Sequence, residues 1–103
     1  MGIDLRWEDE RGAEIESLAD EKSLFTRIVA QSYELQNSVC LRFVDPYGDT
    51  VFNQIQIPVL IEELEKVRPM LAEPGTANHL DQVVALAKKS VNVTHTYLKF
   101  YGD

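Results

Sequence analysis

The sequence predicts a fold of the α+β class, in which two antiparallel β-hairpins and a terminal strand form one sheet with helices packed on one face. Two observations lead to this prediction. Apolar and polar residues alternate in paired segments that are separated by turn residues, as in hairpins. Two later segments repeat apolar residues every three or four positions, as in amphipathic helices. The chain has 103 residues without a linker or a repeat, so we expect one domain over residues 1–103.

The first hairpin is predicted over residues 3–17. Ile3, Leu5 and Trp7 alternate with charged residues, which is the pattern of a strand with one buried face. Gly12 lies in the turn that follows, where glycine adopts a positive φ at no steric cost. The residues after this turn alternate again and predict the second strand.

Residues 20–32 have two interpretations. Their apolar residues recur at helical spacing, and Asp20 or Ser23 is a suitable residue to cap the start of a helix. Residues 25–29 also suit a strand, because they are rich in β-branched and aromatic side chains. We predict a short helix here.

The second hairpin is predicted over residues 39–57. Apolar residues alternate on both sides of a turn at residues 45–49, which contains proline and glycine. If Phe43 lies opposite Val51, the apolar faces of the two strands coincide. This register places Asn53 on the apolar face, where its side chain needs hydrogen-bond partners.

Two helices and a strand are predicted for the rest of the chain. Pro58 suits the first helical position, Pro69 should end or kink this helix, and Glu63 is expected on its polar side. Asn78 is expected to cap the second helix. Residues 94–101 alternate and predict a terminal strand, with continuation of the helix as the alternative. The predicted core comprises Ile3, Leu5, Trp7, Leu41, Phe43, Val51, Ile55, Leu60, Leu64, Val67, Leu80, Val84 and Ala87.

The formal net charge of −7 argues against two classes of partner. An acidic surface repels the phosphate backbone of nucleic acids and anionic membranes, so we expect neither as a ligand. The single cysteine, Cys40, has no partner for an internal disulfide, and the N-terminal residues do not resemble a signal peptide. These features predict a cytoplasmic protein.

No motif in the sequence predicts catalysis. His79 and His95 are not spaced with cysteines or carboxylates as in zinc sites, so both are expected to be structural or surface residues. Cys40 is expected within a strand, which is a poor position for a reactive thiolate. Asp45 and Asp49 are more typical of a turn than of a calcium loop. We therefore expect no enzyme activity, no metal and no organic cofactor.

The charge and the lack of a reactive site favour a protein-binding or regulatory domain with a protein partner, for example an immunity-type inhibitor of a basic protein. Small antiparallel sheets also leave edge strands, and the first strand or the tail is expected to be one, so self-association is a second prediction. The alternative function is a small-molecule-binding domain or an enzyme whose site assembles from distant residues. The candidate partner-binding residues are acidic or aromatic and lie beside predicted turns: Glu8, Asp9, Glu10, Asp45, Tyr47 and Asp49.

Overall fold

A computed structural model of the protein describes residues 2–102 and confirms the α+β class. The strands are β1 (Asp4–Asp9), β2 (Glu14–Leu18), β3 (Asp49–Phe52) and β4 (Thr96–Tyr101). The helices are α1 (Leu24–Ser32), α2 (Ile57–Val67) and α3 (Thr76–Ser90), with short 3₁₀ turns at Leu41–Phe43 and Arg68–Met70. Among residues 2–102, no helix is long and apolar enough to cross a membrane.

The four strands form one antiparallel sheet in the order β2-β1-β4-β3. The tail is therefore a strand, as predicted, and Leu98 and Phe100 of β4 are buried on the face that the helices cover. The expectation that the first strand or the tail forms an edge is wrong, because β1 and β4 are the two central strands. The edges are β2 and β3.

The first hairpin and the short helix α1 are both confirmed. At the hairpin turn, Oδ1 of Asp9 accepts hydrogen bonds from the N–H groups of Arg11 and Ala13, and Gly12 adopts φ 83°. Asp20 rather than Ser23 caps the start of α1, because its carboxylate accepts hydrogen bonds from the N–H groups of the first two helical residues, at 2.7 and 3.0 Å. Such bonds satisfy donors that have no partner within a helix.

The second predicted hairpin is wrong at its first strand. Residues 39–41 do not pair with β3, whose only strand partner among the described residues is β4. Instead their N–H groups donate to the carboxylate of Glu63 on α2, which turns the chain around this side chain and into a 3₁₀ turn. Cys40 is therefore buried outside any strand, and Glu63 is buried rather than on the polar side of α2.

The second strand of that hairpin ends at Phe52 because the following residues start a helical turn. Oδ1 of Asn53 accepts the N–H of Gln56 at 3.0 Å, and Oε1 of Gln56 accepts the N–H of Asn53 at 2.9 Å. This reciprocal pair is a capping box, and it explains why Asn53 is exposed rather than on the apolar face. The predicted core residues Phe43, Val51 and Ile55 are consequently 62%, 51% and 85% exposed, whereas Phe52 is buried.

The ends of α2 and α3 differ in how well the sequence predicts them. Pro58 lies in the first turn of α2, and the helix ends at Val67, two residues before Pro69, as expected. Asn78 is not the cap of α3, because the helix begins at Thr76. The preceding residue is Gly75 at φ 84°, a conformation that disfavours any residue with a Cβ atom.

The core lies between the sheet and the three helices. Phe25 of α1 stacks on Phe100 of β4 with 4.9 Å between the ring centroids, and Phe52 meets Phe100 edge to face at 5.9 Å. Most of the predicted core is buried or packed against it: Ile3, Leu5, Trp7, Leu41, Leu60, Leu64, Val67, Leu80, Val84 and Ala87.

Candidate partner-binding edge of the sheet

Three of the candidate partner-binding residues lie where β1 runs into its turn. Glu8 is buried, with 6% of its surface exposed, and its carboxylate accepts a hydrogen bond from the hydroxyl of Tyr101. The Asp9 carboxylate is engaged in the turn that follows. Glu10 lies 3.2 Å from Nδ1 of His95 in a solvent-exposed pair. Glu8 and Asp9 are therefore occupied by contacts within the chain.

The other three candidates surround the start of β3. Oδ1 of Asp45 accepts the N–H of Tyr47 at 2.8 Å, and the Asp45 N–H donates to Oγ1 of Thr50 at 3.0 Å. These bonds order the turn and leave the Tyr47 side chain 76% exposed. Asp49 lies 3.7 Å from Nζ of Lys99 on the adjacent strand.

The structure does not bring these two groups together. Asp49 is opposite Tyr101, which is opposite Asp4, whereas Glu8 lies four residues further along β1. Four residues of a strand span about 13 Å, and β4 also separates β3 from β1. Only Asp45, Tyr47 and Asp49 adjoin an edge of the sheet at β3.

The outer side of β3 presents hydrogen-bonding groups of the backbone. The Gly102 N–H donates to the Gly48 carbonyl at 2.7 Å. With the register of β3 and β4, this bond shows that Thr50 and Phe52 are the residues of β3 that exchange hydrogen bonds with β4. In an antiparallel pair every second residue then turns its N–H and C=O away from the partner strand. These residues are Asp49 and Val51, and no further strand pairs with them in the described part of the chain.

Exposed apolar side chains occur in β3 and in the segments before and after it. Phe43, Tyr47, Val51 and Ile55 are all more than half exposed, and the Arg42 guanidinium lies 4.9 Å from the centroid of the Phe43 ring. We call the outer backbone of β3, with the side chains of Val51 within the strand and of Tyr47 in the turn directly before it, the β3 edge surface. Exposed apolar side chains beside an unpaired strand are typical of an interaction site.

The helix-free face of the sheet differs, because its charged groups pair with one another. The Arg6 guanidinium and Nζ of Lys99 each lie 4.7 Å from the centroid of the Tyr101 ring, and Arg6 is 3.6 Å from Glu14. Burial and the hydrogen bond to Glu8 raise the pKa of Tyr101 above its ordinary value. This face therefore offers fewer free groups than the β3 edge surface.

Cys40 is not suited to act as a nucleophile. Burial, together with the negative charge of Glu63, raises the pKa of its thiol to about 11, so the thiolate is scarce at neutral pH. Burial also disfavours ionisation of Glu63, but donation from Leu41, Val39, Ser38 and Cys40 outweighs this and lowers the pKa of the carboxyl. The sequence contained one signal for burial of Glu63, since it lies at helical spacing from Leu60 and Val67.

A second buried polar interaction, between Asp20 and His79, was not predicted from the sequence. The Asp20 side chain is fully buried and accepts N–H groups from Ile3, Leu24 and Phe25. Nε2 of His79 lies 3.7 Å from Oδ1 of Asp20, and the His79 side chain is 8% exposed. The prediction that His79 is a structural or surface residue thus omitted its buried acidic neighbour.

His79 borders a cleft of about 330 Å³ between the start of α3 and the loop before α1. Its lining is partly polar and consists of Lys22, Leu24, Pro74, Gly75, Asn78, His79 and Gln82. We call it the His79 cleft. Among residues 2–102, no group of three or more His, Cys, Asp or Glu side chains is placed to hold a metal ion, in this cleft or elsewhere.

Comparisons with protein-family models, with curated proteins and with solved structures gave no significant match to this chain. Function is therefore inferred from the geometry of the β3 edge surface.

Proposed function

We propose that the chain is a protein-binding module whose β3 edge pairs with an extended, basic segment of a partner protein. The observation that carries this proposal is the free outer edge of β3, where the backbone groups of Asp49 and Val51 have no strand partner in the described chain. Addition of a strand to such an edge is a common mode of peptide recognition. The role is binding rather than catalysis.

Side chains support the same surface. An added strand would lie beside Val51, and the exposed side chains of Val51 and of Tyr47 in the preceding turn could bury surface against the partner. Tyrosine is among the side chains that contribute most to the binding energy at protein interfaces.

Charge favours a basic segment. Asp45 and Asp49 adjoin the edge, and the chain carries a net charge of −7. Complementary charge accelerates association and selects among partners, as expected for an inhibitor of a basic protein. A buried free thiol also suits a reducing compartment, so we place this function in the cytoplasm.

The experiment uses the full chain as bait in a lysate of its source organism. Val51→Pro removes the outward N–H without removing a bond to β4, since Val51 faces the edge. Val51→Thr is the matched control, because it changes the side chain and keeps the N–H. A partner that both wild type and Val51→Thr retain, and that Val51→Pro loses, supports the proposal.

Salt dependence provides the second part of the test. The association rate of the retained partner should fall as salt rises, and Asp45→Asn with Asp49→Asn should reduce the rate and its salt dependence. A partner that Val51→Pro retains as well as wild type would show that the edge is not the binding site.

A further inference from the structure

The outer edge of β3 limits an added strand to one set of hydrogen bonds. Within β3, Asp49 and Val51 turn their N–H and C=O groups outward, whereas those of Thr50 are directed to β4. An added strand therefore bonds to Asp49 and Val51 through two of its residues that are themselves two positions apart. The residue between these two lies opposite Thr50 and forms no backbone bond to β3.

The turn before β3 leaves this edge open. The Asp45 N–H donates to Oγ1 of Thr50, and the backbone of residues 45 and 46 packs against Gly102, directly after β4. A Cβ atom on Gly102 would lie 2.5 Å from the Asp45 carbonyl oxygen, so this close approach requires glycine. The turn thus folds towards β4 rather than across the outer side of β3, where the Val51 side chain is 51% exposed.

The side chains of Asp49 and Val51 lie together on the helix-free face of the sheet. Side chains alternate along a strand, and Phe52, the neighbour of Val51, is buried under the helices. Residues directly opposite each other in an antiparallel pair share a face and contact one another. The two partner residues that bond to β3 therefore meet a carboxylate at Asp49 and an apolar side chain at Val51.

The surroundings of Asp49 favour a basic residue opposite it. Nζ of Lys99 is 3.7 Å from Oδ2 of Asp49, which is longer than a hydrogen bond, and the Asp49 side chain is 53% exposed. Its carboxylate thus retains acceptor sites for a second cation on the outer side of β3. Lys99 itself lies opposite Val51, so a basic residue on the outer side of Val51 would share a row with a like charge. An apolar residue there would instead bury the exposed Val51 side chain.

We infer that the partner segment runs antiparallel to β3 and carries, from its N-terminus, an apolar residue, any residue and then a basic residue; this inference rests on the function proposed above. The apolar residue pairs with Val51 and the basic residue with Asp49. Every strand pair of this sheet is antiparallel, and antiparallel pairing is slightly more stable per residue than parallel pairing. An antiparallel strand meets Val51 before Asp49, which sets the order, and a parallel strand would require the reverse.

The test compares two peptides of identical composition and reversed order, by NMR titration of the full, isotope-labelled chain. The forward peptide is acetyl-Thr-Thr-Val-Thr-Lys-Thr-Thr-amide, and the reversed peptide is acetyl-Thr-Thr-Lys-Thr-Val-Thr-Thr-amide. Both should shift the Val51 amide. The forward peptide should bind about fivefold more tightly, a ratio that corresponds to about 1 kcal/mol from the cross-strand pairs.

Two variants test the pairing with Asp49. Asp49→Asn should weaken binding of the forward peptide and reduce the ratio of the two dissociation constants to about twofold or less, because it removes the charge that the lysine faces. In the control, Glu62→Gln removes the same charge from an exposed position on α2 and should leave the ratio unchanged.

The outcomes separate this inference from the proposed function. Equal binding of the two peptides with a shift at Val51, tighter binding of the reversed peptide, or a ratio that Asp49→Asn does not change would overturn the assigned order and leave strand addition at β3 intact. If neither peptide produces a saturable shift of the Val51 amide, strand addition itself is contradicted, and the proposed function fails together with this inference.

Discussion

The backbone N–H of Leu41 donates to Oε1 of Glu63 at 2.9 Å, across 22 residues of sequence. The same carboxylate accepts the N–H groups of Val39 and Cys40 and the hydroxyl of Ser38. One side chain of α2 therefore fixes the loop before β3.

Replacing Glu63 with glutamine should destabilise the protein by about 3 kcal/mol, because the amide accepts fewer bonds and leaves buried N–H groups unpaired. Urea unfolding monitored by circular dichroism measures the change. Glu62→Gln is the matched control, since Glu62 is exposed and pairs with Lys66 at 3.3 Å, and its effect should be small. Equal stabilities of Glu63→Gln and Glu62→Gln would contradict the assigned role.

The contribution of Glu63 should depend on pH. Its pKa in the folded state lies below the ordinary value of 4.5, so the stabilisation is fully present above pH 4.5. It is lost as pH falls through the folded pKa, where the carboxyl takes up a proton. The difference in unfolding free energy between wild type and Glu63→Gln should therefore shrink in acid, and a constant difference down to low pH would refute this account.

His79 should titrate below its ordinary pKa of 6.5. Burial lowers the pKa of His79, although Asp20 opposes this effect. Below pH 6.5 the unfolded chain then binds a proton more readily than the folded chain, so stability falls as pH drops from 6.5 through the folded pKa. NMR titration of the imidazole measures the midpoint directly, and a value above 6.5 would show that Asp20 dominates over burial.

The Cys40 thiol should not react in the native protein. With its pKa at about 11 and the side chain buried, both thiolate and access are scarce. At pH 8 a disulfide reagent such as DTNB should label the chain only after urea is added. Rapid stoichiometric labelling of the folded chain would mean that the loop around Glu63 opens readily.

The elements that local patterns determine were predictable. Alternation revealed β1, β2 and β4, and helical spacing revealed the three helices. The error at residues 39–43 has a different cause. Their alternation is real, but the carboxylate of Glu63, more than twenty residues away in sequence, accepts the N–H groups of residues 39–41. The capping box of Asn53 and Gln56 was a local signal that the continuing alternation of apolar residues obscured.

The candidate site was predictable only in part. Asp45, Tyr47 and Asp49 adjoin the β3 edge, but which strand forms the edge follows from how β4 inserts between β1 and β3. Glu8 was expected at the surface as a partner-binding residue, and its burial under Tyr101 depends on the same pairing. His79 and Asp20 are 59 positions apart in numbering, so no spacing rule connects them.

Amide hydrogen exchange along β3 tests the central claim most directly. In the free protein, the amides of Thr50 and Phe52 should be protected by β4, whereas the amide of Val51 should exchange rapidly because it faces the open edge. On addition of the partner retained by Val51→Thr, the Val51 amide should become protected. Protection of Val51 equal to that of Thr50 in the free monomer would show that the edge is already covered, and would contradict binding by strand addition.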